Sequence, residues 1–130
     1  MEYLKARPNK TPFSIQEQER LRNAAIHKIQ QLLLPNEHIQ KIVLIGSSLK
    51  GTFGQYAQPG FRGSFYSDFD FIVFVEQPYK IPAWLEREPD GKPFAQDHLN
   101  LAYRSRNFLE DRYDAEVFFI CRFYSRTRHH

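Results

Sequence analysis

The sequence predicts one α/β domain, a small β-sheet flanked by helices, and three observations carry that expectation. Apolar residues recur at helical spacing from Leu21 to Leu32. Three short runs, KIVLI, FIVFV and AEVFF, are β-branched or aromatic and long enough only for strands. A second helical spacing lies before the last of them, so helix and strand signals alternate along the chain, which is the pattern of an α/β domain. The 130 residues suit a single modest core. Twelve Phe and seven Tyr supply the large buried areas that help so short a chain close one.

In chain order, residues 1–12 are polar, carry Pro8 and Pro12, and read as a flexible or docked arm. Ser14-Ile15-Gln16-Glu17 fits a capping box, with Ser14 as N-cap and Glu17 reaching back. Leu21, Ala25, Ile29 and Leu32 then mark one face of a helix over 14–34, which Pro35-Asn36 stops. Lys41–Ile45 is a buried strand followed at once by GSSLKG. The segment TFGQYAQPGFRGSFY comes next; Gly54, Pro59, Gly60 and Gly63 forbid a regular helix and indicate a loop or small hairpin. Phe69–Val75 is the second strand. Gln77–Lys92 holds Pro78, Pro82, Pro89 and an Asp90-Gly91 turn, with a short helical turn at Trp84. Pro93 opens an expected helix over 94–109, whose Phe94, Leu101, Phe108 and Leu109 share a face. Ala115–Phe123 is the third strand. The domain is bounded at 13–124, with an arm before it and a tail, 125–130, after it; His129 and His130 are given no role.

Composition narrows the partners. Hydrophobic residues are 42% and charged residues 25%, the balance of a globular and not a disordered chain. The net charge of +3 permits anionic partners without demonstrating them. A single cysteine, Cys121, excludes an internal disulfide and a cysteine-based zinc site, and points to a reducing, cytoplasmic compartment. The start, MEYLKARPNK, has no apolar signal core, and no run approaches membrane-span length, so no membrane partner is expected. His27, His38 and His98 share no metal-ligating spacing. Cys121 reads as packed and Trp84 as a loop anchor. Arg104, Arg106, Arg112, Arg122, Arg126 and Arg128 give the last third a basic bias; a solvated face explains it most simply, an RNA or acidic-partner surface more sharply.

The chemistry lies at strand ends. In SDFDFIVFV, residues two apart share a strand face, so Asp68 and Asp70 converge while Phe69 turns into packing. Two carboxylates without a basic neighbour repel each other, and a hard divalent cation such as magnesium relieves that repulsion. Taken alone, the pair reads more simply as a solvated loop-to-strand junction. GSSLKG changes the balance. It leaves a buried strand with the Gly and Ser residues of a turn into a helix, where a phosphate can sit on backbone N–H groups and a hydroxyl, with Lys50 adding charge. An ordinary turn with Ser47 or Ser48 as N-cap is the plainer alternative. Neither a P-loop nor a dinucleotide fingerprint is present.

Strand, Gly46-Ser47, a Lys50-Gly51 continuation, then Ser67-Asp68-Phe69-Asp70 leading an apolar strand resembles the nucleotidyltransferase superfamily related to DNA polymerase β, and most closely its minimal nucleotidyltransferases. The resemblance spans residues 14–122 and rests on three short motifs, the third being Glu116 between Ala115 and Val117. It implies an α-β-α-β-α-β core on a small mixed sheet. It also implies transfer of a nucleotide, AMP foremost, from a nucleoside triphosphate to a hydroxyl on a protein, small-molecule or RNA acceptor. Asp68, Asp70 and Glu116 would then hold two Mg2+ ions, with Asp114, on the same strand face as Glu116, the alternative third acid. Gly46, Ser47 and Ser48 would orient phosphates, and Lys50 would neutralise them.

Two departures from the family pattern stand out. Nineteen residues, Leu49–Ser67, separate Ser48 from Asp68, which reads as an insertion over about 52–66 at the rim of the site. The chain also ends soon after the third acidic strand, where relatives add a helical domain; a helical protein partner, a second copy in a homodimer, or a missing C-terminus is expected to supply it. Two other functions therefore stay open. One is a partner-dependent or inactive module of a two-component, toxin–antitoxin-like pair. The other is a nucleic-acid-binding domain using the aromatic segment Phe53–Tyr66 and the basic final strand.

Overall fold

A computed structural model describes residues 9–59, 63–87 and 102–121. Its first long element is helix α1 (Ile15–Leu33). Ser14 caps it as the sequence predicts, its Oγ accepting the Glu17 N–H at 3.1 Å. The Glu17 carboxylate binds Arg20 one turn on. Leu21, Ala25 and Ile29, spaced four apart, are fully buried.

That apolar stripe shares a core with one face of a five-stranded sheet. The sheet comprises β2 (Ile39–Ile45), β4 (Phe69–Val75), β5 (Glu86–Arg87), β6 (Ala102–Leu109) and β7 (Tyr113–Cys121), in the order β2-β4-β7-β6-β5. β4 and β7 run parallel and the other neighbours antiparallel, so the sheet is mixed. Alternation decides which side chains enter the core. Phe69, Phe71, Val73 and Val75 of β4 are buried, as are Ala115, Val117 and Phe119 of β7, while Asp70, Ile72 and Phe74 and the even residues Glu116, Phe118 and Ile120 turn to the other, half-exposed face. Cys121 is buried and Trp84 packs against the core, as expected of both.

One predicted element is overturned. Residues 102–109, expected as the second half of a helix over 94–109, form strand β6, which folds back on β7 through a turn at Glu110-Asp111-Arg112. The register breaks between Ser105 and Leu109, where Asn107 takes a positive φ of 55°. That β-bulge brings Phe108 and Leu109 to burial side by side, so the strand loses its two-residue period and imitates helical spacing. Residues 94–101 of the expected helix, including Phe94 and Leu101, lie outside the described residues.

The glycine- and aromatic-rich segment is tied down by the N-terminal arm. Strand β3 (Gly54–Tyr56) pairs antiparallel with β1 (Lys10–Pro12), and Gln55 bridges to Tyr66. A Cβ at residue 54 would collide with the backbone of Thr11 and Pro12, so only glycine permits the close pairing. Gln18 of α1 fastens the same segment: Nε2 donates to the carbonyls of Phe13 and Gly51, and Oε1 accepts the Phe53 N–H. Among the described residues no helix is long and apolar enough to cross a membrane.

Candidate active site

The sheet register builds the site. At the end of β2, Ile45 faces Asp70 of β4; Asp70 faces Glu116 of β7; Glu116 faces Arg104 of β6. These four positions form one row across four strands, with directly opposed Cβ atoms about 5 Å apart. Asp68, two residues before Asp70, lies just ahead of β4 and belongs to the same side. Asp70 and Glu116, distant in sequence, therefore stand opposite each other because β4 and β7 pair in parallel without a slip.

Their surroundings differ. Asp70 is largely buried, and its carboxyl is pushed up to about 7, first by burial, then by the negative charges of Asp68 and Glu116, with Arg104 pulling the other way. Asp68 is half-exposed and its Oδ2 accepts from Arg104 Nη2 at 3.0 Å. Arg104 is itself only 7% exposed, and its Nη1 donates to Asp114 Oδ2 at 3.0 Å. Asp114 is buried too; its Oδ1 accepts the backbone N–H of Asn107 at 2.8 Å, and Arg106 lies 3.6 Å from its Oδ2. One arginine thus bridges Asp68 to Asp114, and Asp114 pins the bulge that aims the arginine.

Turn chemistry on the other flank brings backbone against Asp70. Gly46, with φ of 85°, leads from β2 into the single-turn helix α2 (Ser47–Lys50). A Cβ on residue 46 would strike Asp70 Oδ2, so the glycine is required both by its backbone angle and by the carboxylate beside it. Ser47 is half-buried next to it and Lys50 is exposed. Ser48 goes elsewhere: it is 1% exposed, its carbonyl accepts from Arg22 of α1 at 3.1 Å, and its Oγ has no hydrogen-bond partner. Ser67 of the S-D-F-D motif is structural, its Oγ accepting from Gly54 N–H and from Lys10 Nζ. The arm is therefore anchored one residue before Asp68.

Several expectations need correction. The premise that Asp68 and Asp70 lack a basic neighbour fails, because Arg104 stands among the acids. Arg104, one of the arginines whose basic bias a solvated face explains most simply, is buried on a strand. The mistake follows from the bulge, which disguised β6. A hairpin signal was nevertheless present: AYRSRNFL and YDAEVFFI flank the short polar turn Glu110-Asp111-Arg112. Gln18 and Asn107, which hold the site's frame, carry no motif that announces them. In the segment 52–66, Phe53 is buried and stacks on Phe69, which removes its ring from any base-stacking platform, and half-buried Tyr66 packs on Phe13 and Tyr113.

Hard, oxygen-only donors on adjacent strands suit a divalent cation, and the backbone cradle that a Cβ at residue 46 would fill lies against Asp70. Among the described residues, no three Asp, Glu, His or Cys side chains stand together as a ready-made cation-binding group. Asp68 is the acid held aside, by Arg104. Comparison with family models, with curated proteins and with solved structures finds no match to the chain.

Proposed function

We propose that this protein is a magnesium-dependent nucleotidyltransferase that moves a nucleoside monophosphate, AMP foremost, from the triphosphate to a hydroxyl of an acceptor. The observation that carries the reading is the unslipped pairing of Asp70 with Glu116, beside Asp68 and against the Gly46 turn. Asp68, Asp70 and Glu116 would hold Mg2+, which when bound supplies the positive charge that balances the triphosphate and its leaving oxygen. Glu116 takes the acceptor side, where it eases removal of the hydroxyl proton as that oxygen attacks the α-phosphorus and the bond to pyrophosphate breaks. Ser47 and the backbone at Gly46 orient the outer phosphates. Asp114, with both oxygens engaged by Arg104 and Asn107, serves as a structural acid, which favours Glu116 as the third ligand.

Calorimetric titration with magnesium-ATP tests the seat. Wild type binds with measurable heat and Asp70→Ala does not; equal binding by both overturns the reading. Pyrophosphate release in the presence of candidate acceptors then tests turnover.

A partner-dependent form of the same chemistry has one observation in its favour. Ile72 and Ile120 lie half-exposed on the very sheet face that carries the acids, and Ile45 at its edge is 39% exposed. A helical protein seated there would complete both the apolar face and the site.

A further inference from the structure

We propose that Arg104 gates this site: it occupies Asp68 in the empty protein, and it passes to a phosphate of the incoming triphosphate when a divalent cation takes Asp68. The inference rests on the nucleotidyltransfer reading and adds to it a coupling between its two ligands.

The geometry points to a transferable contact. Two of the contacts that Arg104 makes differ in depth. Asp114 is buried, holds Nη1 at 3.0 Å and is itself fixed by the Asn107 N–H, so that end is permanent. Asp68 has a side chain 25% exposed, precedes β4, and meets Nη2 at the same 3.0 Å, so that end faces solvent and substrate. A cation joining Asp68 to Asp70 and Glu116 must draw the Asp68 carboxylate off Nη2. The guanidinium cannot follow, because Asp114 holds it, and it cannot shed its charge. A buried guanidinium deprived of one carboxylate is costly unless another anion replaces it. A phosphate oxygen offers the same charge and the same acceptor geometry, and arginine binds phosphates in this fork-like manner.

Metal and triphosphate should then help each other. The cation alone must compete with Arg104 and binds weakly. With a triphosphate present, a phosphate returns to Arg104 the negative charge that the cation draws away. Linkage makes the assistance reciprocal, and couplings of this kind run at roughly 5- to 150-fold. Asp114 is a positioning residue in this arrangement, acting through Arg104.

Two measurements on the full chain test it. Mn2+ binding in the absence of nucleotide is read from loss of the free-ion paramagnetic resonance signal. Binding of α,β-methylene-ATP in excess Mg2+ is read by calorimetry. Arg104→Gln should bind Mn2+ alone about fivefold more tightly, since the competitor is gone, yet bind the analogue at least about fivefold more weakly. Opposite signs are the signature, because a merely structural arginine would weaken both. Arg104→Lys keeps the cation, and with it the fold, but cannot span both carboxylates at once; it should move both affinities in the same directions by less. Weaker or unchanged Mn2+ binding in Arg104→Gln, unchanged analogue binding, or an Arg104→Lys protein identical to wild type on both counts overturns the gate. If wild type binds neither Mn2+ nor the analogue, the nucleotidyltransfer reading falls and the gate falls with it. Wild-type binding abolished by Asp70→Ala, together with an Arg104→Gln that moves neither affinity, leaves that reading standing and removes only the gate.

Discussion

Asp114 and Asp70 occupy the same face of the same sheet, on adjacent strands, one buried and one half-buried, yet the fold treats them in opposite ways. Asp114 receives a guanidinium nitrogen on one oxygen and a backbone N–H on the other. Asp70 has Asp68 and Glu116 as its charged neighbours, with Arg104 only partly offsetting them, and its carboxyl rises to about 7. A carboxylate that the fold satisfies serves the structure. One left repelled and half-compensated has a free energy to recover from something outside the chain, and perturbed acids of that kind concentrate where ligands bind. The contrast separates two acids that alternation alone cannot distinguish, since both are even-numbered neighbours of buried core residues.

The largest effect should come from reversing each acid's lot. Removing Asp114 leaves Arg104 with a buried charge half-paired and the Asn107 N–H without its acceptor, and breaking such a pair costs about 3 to 5 kcal/mol. Chemical denaturation of Asp114→Ala should therefore show a large loss of stability, a serious fraction of what a domain this size holds. Asp70→Asn should do the reverse at pH 8, raising the unfolding midpoint, because it deletes a repelled charge and keeps the side chain's shape. If both substitutions destabilise alike, the distinction between a structural and a binding acid fails.

How much of this was legible in the sequence follows from range and period. Helix α1 was legible because its cap and its four-residue spacing are local. β4 and β7 were legible because both are short apolar runs in which buried and half-exposed residues alternate, along Phe69–Val75 and from Ala115 to Cys121. β6 was hidden by one bulged residue, Asn107, which turned Phe108 and Leu109 into a false helical signal. Arg104 was lost with it, and so was the reason Asp68 can sit beside a core strand without a metal. The pairing of β1 with β3 gave no signal, since three-residue strands have no period to read and their register depends on backbone contact at Gly54. Strand faces were therefore readable and partners across strands were not. That is why the sequence favours Glu116 as the third acid, with Asp114 the alternative, but does not show the Arg104 and Asn107 contacts that hold Asp114.

A smaller and sharper test bears on what presses against Asp70. Gly46 has a positive φ and no room for a Cβ beside the Asp70 carboxylate. Gly46→Ala forces a side chain into a backbone region that is essentially glycine-only (φ 85°, ψ −157°), at a cost of about 1 to 3 kcal/mol, and must also push the carboxylate aside. The backbone cost appears in denaturation; the displacement appears as weakened magnesium-ATP binding. Gly51 supplies the control, because it too has a positive φ, in the milder left-handed region (φ 84°, ψ 17°), and nothing near its Cβ among the described residues. Gly51→Ala should lose about 1 to 2 kcal/mol of stability and keep its binding. Equal binding losses in the two variants would show that the turn, and not contact with Asp70, governs the site.

The smallest effect per step is the dependence on pH, and its sign is fixed by Asp70. Its carboxyl stands at about 7 in the folded protein against the model-compound value of 3.8, so between those limits the folded state holds a proton that the unfolded state has released. Stability from this group is therefore full below about pH 4 and is lost as pH rises towards 7, at no more than about 1.4 kcal/mol per pH unit. Glu17 and Glu110, both held low by Arg20, contribute in the opposite sense, but their change falls below pH 4.5 and outside this window. Denaturation of wild type and Asp70→Asn at pH 5, 6, 7 and 8 isolates the slope, because the substitution removes the titrating group and leaves Asp114 and its partners in place. Wild type should lose stability relative to the variant across that series and level off above pH 7. Cation affinity should climb over the same interval, since the proton on Asp70 has to leave before an ion can take its place. A flat difference between the two proteins would mean that Asp70 is already ionised throughout, its neighbours better compensated than Arg104 alone can manage, and the contrast with Asp114 would then be one of position and not of charge.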